Sequence, residues 1–168
     1  MIQCISLSGD ATKTIIRAAA QGYDARYKEE RLGILLGRIS RGVALVEQAV
    51  IYRGGERTRT AASVDPYRFE RRVKTLQKEL GLVFLGSFHT HNEVAGSISS
   101  ALSQADKTPL CENPPSLIEM IAAIWASDGA PWSAKFYLQG RLDEYRFRVA
   151  GYACQQGFKC LPVSSKIA

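Results

Sequence analysis

The sequence predicts a single α/β domain with a mixed β-sheet flanked by helices. Apolar residues recur at helical spacing over about 11–27 and about 66–80, and short apolar runs suited to strands lie before, between and after these stretches. With 168 residues, of which 46% are apolar and 23% charged, the chain is long enough to bury a core without metals or disulfides for support. We expect the domain to cover 1–150, followed by an irregular tail over 151–168.

The predicted helices carry start or stop signals. Asp10 occupies a position suited to the N-cap of the first helix. The second helix is delimited at both ends, since Asp65 can cap it, Pro66 suits its first turn and Gly81 suits its end. A third, short helix is predicted to begin after Ser103. Three prolines are expected to limit its length: Pro109, Pro114 and Pro115.

Apolar runs between turn residues predict the strands of the sheet. A turn at 40–42 is expected to join two of these runs into a hairpin, and a second hairpin is predicted around a turn at 139–141. The polar segment 53–62, which contains two glycines, predicts an exposed loop. The predicted strands cover about 2–7, 31–39, 42–52, 82–91, 117–125, 134–138 and 143–149.

Terminal composition and cysteine usage favour a cytoplasmic protein. No basic run precedes the first apolar residues, and no apolar run reaches the roughly 18 residues that a membrane span needs. The four cysteines include no C-x-x-C pair, so neither a zinc ribbon nor a dithiol redox motif is present. We expect free thiols, and the closeness of Cys154 and Cys160 leaves a disulfide in the tail as the alternative.

The chain is basic, with a net charge of +6 and a pI near 9.3. Such a balance could favour an acidic partner. Part of the densest basic patch lies on the predicted helix 66–80, whose opposite face is apolar, so a solvated helix face is favoured over a nucleic-acid site and no nucleic-acid partner is expected. The patch consists of Arg57, Arg59, Arg68, Arg71, Arg72 and Lys74.

Two histidines end one of the predicted strands. His89 and His91 are separated by one residue, so their side chains point to the same face of a strand and can share one ion. Zinc accepts imidazole nitrogens with a carboxylate as third ligand and keeps a fourth position for water in catalytic sites. Glu93, two residues past His91, is a carboxylate whose strand parity would also direct it towards the ion. A chance H-x-H pair at the surface is the alternative interpretation.

A second carboxylate precedes the first long apolar run. Glu30 lies three residues before Gly33 and shares strand parity with Leu32, so it should face the same side as that apolar row. Together with GSFHTH and Ser103-x-x-Asp106, the run EERLGILLG resembles the JAMM signature of the MPN domain family, in which a glutamate precedes a glycine-rich strand and H-x-H is followed by S-x-x-D. The resemblance spans about 30–106 directly. Without it, Ser103-x-x-Asp106 could be a helix cap alone.

The resemblance implies a fold and a set of site residues. It implies an MPN-like, cytidine-deaminase-like three-layer domain in which His89, His91 and Asp106 bind zinc. Glu30 is implied as the general base that takes a proton from water, and Ser103 as a group that assists the oxyanion.

Two features depart from the family pattern. Asn92 stands where the family usually has proline, which removes rigidity but no chemical group. Eleven residues separate His91 from Ser103, a longer gap than the family shows, so the small-residue stretch 93–100 is expected to bulge.

The resemblance also implies an activity. MPN proteins with a complete motif hydrolyse peptide or isopeptide bonds at the C-terminal glycine of ubiquitin-like proteins, which include prokaryotic sulfur carriers. A zinc-dependent isopeptidase of the stand-alone prokaryotic type is therefore expected, with ubiquitin-like or sulfur-carrier conjugates as partners. A non-catalytic MPN scaffold that binds other proteins is the alternative.

Overall fold

A computed structural model describes residues 1–57, 62–93, 98–112, 117–126, 136–155 and 157–166. Within these ranges the helices are α1 (Gly9–Asp24), α2 (Pro66–Leu80) and α3 (Gln104–Glu112). The strands are β1 (Cys4–Ser8), β2 (Leu32–Ser40), β3 (Val43–Tyr52), β4 (Glu56–Arg57), β5 (Ala62–Ser63), β6 (Val83–Asn92), β7 (Ile118–Trp125), β8 (Leu138–Leu142), β9 (Tyr145–Cys154), β10 (Phe158–Leu161) and β11 (Val163–Lys166).

One large sheet organises the molecule. Its order is β10-β9-β7-β6-β2-β3-β1-β11, with β8 paired to β9. β6 pairs parallel with β7, and β1 pairs parallel with both β3 and β11, whereas the remaining pairs in this sheet are antiparallel. The predicted mixed sheet and the α/β class are therefore confirmed. β4 and β5 form a separate two-stranded hairpin in the segment predicted as a loop.

The sheet is nearly closed into a barrel. β10 and β11 are separated only by Pro162, yet β10 pairs with β9 and β11 pairs with β1, at opposite ends of the strand order. The strands next to the two ends, β9 and β1, also lie close together, since a Cβ on Gly151 of β9 would lie 2.4 Å from Cδ1 of Ile5 in β1. The expectation of an irregular tail over 151–168 is therefore wrong, because residues 151–166 complete the sheet apart from 156, which lies outside the described ranges.

Two helices cover opposite faces of the sheet. α1 buries Ile15 and Ala19 in a core cluster that contains Leu35 of β2. α2 buries Val73 and Leu76 in another cluster, which contains the neighbours of Leu35 on β2, Ile34 and Leu36. This alternation follows from the two-residue period of a strand, and residues 33–37 of β2 are buried, whereas residues 38–40 at its end are exposed.

The bounds of α1 differ from the prediction at both ends. Ser8, not Asp10, is the N-cap, and its hydroxyl accepts a hydrogen bond from the Ala11 amide at 3.0 Å. The helix ends at Asp24, three residues early, because the chain turns back over Gly22. The Glu29 amide donates to the Gly22 carbonyl at 2.9 Å, an approach that a side chain at 22 would block.

The second predicted helix is confirmed from end to end. The Asp65 carboxylate accepts from the Arg68 amide at 3.0 Å, Pro66 begins the helix and Gly81 adopts the left-handed conformation at its end. α3 instead continues through Pro109 to Glu112, so that proline does not end it. Pro114 and Pro115 lie outside the described residues.

The second predicted hairpin exists, but its turn is displaced. β8 and β9 are joined at Asp143 and Glu144, with Asp143 in the left-handed region, whereas the predicted turn 139–141 lies inside β8. Gly140 is not a turn residue. It leaves room for the Phe147 ring, which a Cβ at 140 would approach to 2.7 Å.

A disulfide joins Cys111 of α3 to Cys154 of β9. The expectation of four free thiols is therefore wrong, and so is the alternative of a Cys154–Cys160 bond. Cys160 lies opposite Tyr152 in the β9–β10 register, while Cys154 faces the helix that packs over β9. Because disulfides persist mainly in oxidising compartments, the cytoplasmic location loses one of its supports and stays a prediction. None of the described helices is long and apolar enough to cross a membrane.

We predict that Gly86→Ala strongly destabilises the protein. Gly86 has a φ of 151°, and an added Cβ would lie 1.8 Å from the Ile118 carbonyl oxygen of the adjacent strand. The expected loss in the free energy of unfolding is about 3 kcal/mol or more, measured by urea denaturation. Gly81→Ala is the control, because Gly81 also has a positive φ but open space around it, and it should cost only about 1 kcal/mol. Equal losses in the two variants would contradict the packing argument.

Candidate metal centre

The two histidines lie where β6 meets the beginning of β2. Leu32 pairs with His89, so the residues just before Leu32 run beside the end of β6. Two hydrogen bonds continue this contact: the Thr90 amide donates to the Arg31 carbonyl at 2.8 Å, and the Arg31 amide donates to Oγ1 of Thr90 at 2.8 Å. Backbone pairing thus brings Glu30 beside the histidines.

Asp106 reaches the histidines from the first turn of α3. One of its oxygens, Oδ2, accepts hydrogen bonds from the Ser103 amide at 2.8 Å and from the Ser103 hydroxyl at 2.6 Å. The Asp106 amide bonds back to Oγ of Ser103 at 3.3 Å, which completes a reciprocal cap. The other oxygen, Oδ1, lies 3.6 Å from Nε2 of His89. The capping interpretation and the ligand interpretation are therefore compatible, because each uses a different carboxylate oxygen.

Hydrogen bonds at Nδ1 set the orientation of both imidazoles. Nδ1 of His91 lies 2.8 Å from the Ser99 carbonyl oxygen, which can only accept, so this nitrogen carries a proton. Nδ1 of His89 lies 3.0 Å from Oε1 of Glu119, and a carboxylate there also requires a donor. In the neutral tautomers assigned from these partners, both Nε2 atoms present lone pairs, and they face each other at 3.1 Å.

The three facing atoms suit a divalent cation. His89, His91 and Asp106 each offer one ligand atom, and these three atoms lie within 4.8 Å of one another. Zinc bonds of about 2.0–2.1 Å in a tetrahedron require ligand atoms about 3.3 Å apart. The separations of 3.1 Å and 3.6 Å that His89 Nε2 makes with the other two atoms lie on either side of this value. The residues therefore fit a metal ion with two nitrogen ligands and one oxygen ligand.

Glu30 is the buried carboxyl next to this group. Only 6% of its surface is exposed, and burial raises its pKa from 4.5 to about 7. The charge of His89 lowers this pKa and the charge of Asp106 raises it, which places Glu30 within electrostatic reach of both residues. A carboxyl with such a pKa can both accept and release a proton near neutrality.

The pKa values of the two histidines are shifted in opposite directions. Burial opposes the charged form of His89, but the hydrogen bond from its ring to Glu119 and the charges of Glu119, Asp106 and Glu30 outweigh burial and raise its pKa. Burial and the nearby charge of His89 lower the pKa of His91, against smaller opposite effects of the Ser99 carbonyl and Asp106. Because its pKa is lowered, His91 favours the neutral form, which is the form that can bind a metal ion.

Glu119 is a site residue that the sequence reasoning missed. It is buried on β7, where it accepts from Nδ1 of His89 through Oε1 and from the Ser87 hydroxyl through Oε2 at 2.5 Å. A lone carboxylate inside the apolar run LIEMIAAIW was the available signal. Ser87 and Glu119 lie opposite each other in the parallel β6–β7 register, so they face the same side as His89.

Glu93, the competing carboxylate, is directed elsewhere. Its Oε2 accepts from the Tyr23 hydroxyl at 3.2 Å and from the Ala126 amide at 3.4 Å. Within the described ranges, the group of possible metal ligands contains Asp106 and not Glu93. The bulge expected over 93–100 lies partly outside those ranges, at 94–97. After these residues, the chain is attached to β9 by a hydrogen bond that the Tyr152 hydroxyl donates to the Ser100 carbonyl at 2.6 Å.

Comparisons with known proteins bear on the fold. No protein-family model matches the chain, and no curated protein matches it. Among solved structures, the chain is similar to the solution structure of protein DSY2949 from Desulfitobacterium hafniense, with 21% sequence identity, a TM-score of 0.65, and coverage of 98% of this chain and 94% of that one. At this identity the similarity shows a shared fold and carries no information about the site.

We predict that Glu119→Gln weakens metal binding without removing a ligand. The charged acceptor holds the His89 ring and increases the basicity of its Nε2, so its loss should lower zinc affinity by about 10- to 100-fold. Competition with a chromophoric chelator measures the affinity. Glu79→Gln, an exposed carboxylate on α2, is the control and should leave the affinity unchanged. Wild-type affinity in Glu119→Gln would show that the hydrogen bond to His89 does not tune the site.

We predict that Glu30 makes the metal-free protein less stable as pH rises. The folded protein holds this proton up to about pH 7, while the unfolded chain releases it near 4.5, so the stability present below pH 4.5 is lost as pH rises through 7. The full shift corresponds to about 3 kcal/mol. Urea denaturation of chelator-treated wild type and Glu30→Gln at pH 5 and pH 8 measures it. The variant should gain stability relative to wild type at the higher pH, and an unchanged difference would contradict the burial of an ionisable Glu30.

Proposed function

We propose that this protein is a zinc-dependent peptidase of the JAMM type. The observation that carries the proposal is the convergence of three acceptor atoms, Nε2 of His89, Nε2 of His91 and Oδ1 of Asp106. A cation between these atoms would accept their lone pairs, and in the metal-free protein a proton on His89, whose pKa is raised, can take that place between the two Nε2 atoms. Two imidazole nitrogens and one carboxylate oxygen suit zinc and leave a fourth tetrahedral position open, as catalytic sites require.

Glu30 is the proton carrier in this proposal. When bound, zinc polarises a carbonyl oxygen and makes water more acidic. Glu30 takes a proton from the attacking water as the water oxygen bonds to the carbonyl carbon. It then delivers that proton to the amine nitrogen as the carbon–nitrogen bond breaks, so one group serves both steps. In the metal-free protein burial raises its pKa to about 7, so this carboxyl readily takes up a proton, and a bound cation would lower the pKa towards the charged form that the first step needs.

Ser103 has two roles that compete for one hydrogen. Its hydroxyl donates to Oδ2 of Asp106, which holds the carboxylate so that Oδ1 points to His89. The oxyanion role implied by the family resemblance requires the same hydroxyl to turn towards the substrate. We assign Ser103 first to positioning Asp106, and to the oxyanion only when the hydroxyl leaves that carboxylate.

The fold proposal is a three-layer MPN domain. Its support is the placement of α1 and α2 on opposite faces of the sheet, with the histidines on a central strand. The near closure of the sheet into a barrel through β10 and β11 is a departure from that three-layer arrangement. The substrate proposal, a ubiquitin-like or sulfur-carrier conjugate cleaved after its C-terminal glycine, rests on the resemblance of Glu30, H-x-H and S-x-x-D to the JAMM signature.

Cleavage of Gly-Gly-terminated conjugates tests the proposed activity. We expect wild-type protein to hydrolyse members of a panel of ubiquitin-like and sulfur-carrier conjugates, to lose this activity with a chelator and to regain it with zinc. Glu30→Gln should reduce the rate by at least about 1000-fold while zinc stays bound, because it removes the proton carrier and no ligand.

Glu29→Gln is the matched control for this experiment. Glu29 is the adjacent carboxylate, but it is 36% exposed and forms an ion pair with Arg31 at 3.4 Å, so its variant should keep near wild-type activity. Stoichiometric zinc without cleavage of any conjugate would favour the non-catalytic scaffold. A preparation that neither contains zinc nor gains thermal stability from it would refute the metal centre itself.

A further inference from the structure

Half of β3 has an open edge. β1 pairs with β3 only from Cys4 opposite Val43 to Leu7 opposite Val46, because Ser8 then ends the strand and caps α1. On its other edge, β3 remains paired with β2 as far as Tyr52. Residues 48–51 therefore present an edge that no other described strand covers. Exposed strand edges carry backbone donors and acceptors that can pair with another chain.

A groove of about 860 Å³ runs along this edge. It is lined by residues 49–52 of β3, by Arg53 and Gly54 that follow them, and by Thr14 of α1. The beginning of α2 contributes Tyr67, Arg68, Arg71 and Arg72. The two helices lie on opposite faces of the sheet, so the groove between them is centred on the strand edge.

The groove is strongly basic. Among the described residues that line it, four are arginines and none is a carboxylate. Arg68 is 3.8 Å from Asp65 with side chains that are 75% and 55% exposed, and Arg72 is 4.0 Å from Glu79 with side chains that are 46% and 57% exposed. Long, exposed ion pairs of this kind contribute little, so much of the positive charge is available to a ligand.

We propose that this groove binds an acidic polypeptide segment in extended conformation, as a strand added to the open edge of β3. Main-chain pairing with residues 48–51 supplies the register, and acidic side chains at every second position face the arginines of α2. A second copy of this chain is a poor occupant, because each copy carries a net charge of +6. The binding itself does not depend on the proposed peptidase activity.

The groove opens near the candidate metal centre. Tyr52, Leu32 and His89 lie opposite one another on three adjacent strands. With strands about 4.8 Å apart, the backbone at Tyr52 is about 10 Å from that at His89. A protein bound along β3 would therefore have its neighbouring residues within reach of the metal centre.

An alternating acidic peptide tests this proposal. The probe is a fluorescein-labelled, end-blocked eight-residue peptide in which glutamate and threonine alternate, and binding to the full chain is followed by fluorescence anisotropy with EDTA present. We expect saturable binding that Arg71→Glu weakens by at least about five-fold. Lys78→Glu, which makes the same charge change on the exposed side of α2 outside the groove, should weaken it by less than about two-fold.

A modified peptide separates strand addition from simple charge attraction. N-methylation at alternate residues keeps every glutamate but removes backbone donors, so it should weaken binding by at least about five-fold. Equal binding of the methylated peptide, absence of binding, or equal effects of Arg71→Glu and Lys78→Glu would each overturn the proposal. Tighter, Arg71-dependent binding of a twelve-nucleotide oligo(dT) would also overturn it and identify the groove as a nucleic-acid site.

Discussion

The pairing of β6 with strands on both of its edges is the constraint on which the candidate centre depends. β2 runs antiparallel along one edge and β7 runs parallel along the other, so the backbone of β6 has little freedom to shift. The β2 side brings Glu30 beside the histidines, and the β7 side brings Glu119 behind His89. A one-residue slip on either edge would turn the relevant carboxylate to the wrong face of the sheet.

The centre places polar groups where the sheet is otherwise apolar. Glu30, His89 and Glu119 are all buried, and each would cost free energy there without a partner. Glu119 is compensated by hydrogen bonds from His89 and Ser87, whereas Glu30 has a raised pKa and so avoids part of the cost by holding a proton. The site thus combines one carboxylate that is fixed by hydrogen bonds with one that stays free to exchange its proton.

Local signals in the sequence predicted the helices and strands better than they predicted which residues contact each other in the fold. Asp65, Pro66 and Gly81 delimit α2 correctly because caps and turns depend on neighbouring residues. His89, His91, Asp106 and Glu30 come together as their motif implied, although their chemical roles stay predictions. Glu119 was missed because its importance comes from the β6–β7 register, and the Cys111–Cys154 bond was missed because it depends on where α3 packs. Gly140 misled the turn prediction because its function is to admit a ring from the next strand.

The crossing from β10 to β11 has a consequence for how the chain is made. β11 pairs with β1, so β1 keeps one edge unpaired until residues 163–166 have been synthesised. Contacts this distant in sequence are slow to form, because a long loop must close before they contribute. During that interval β1 has an unpaired edge, which is a binding site for a chaperone that covers apolar strand edges.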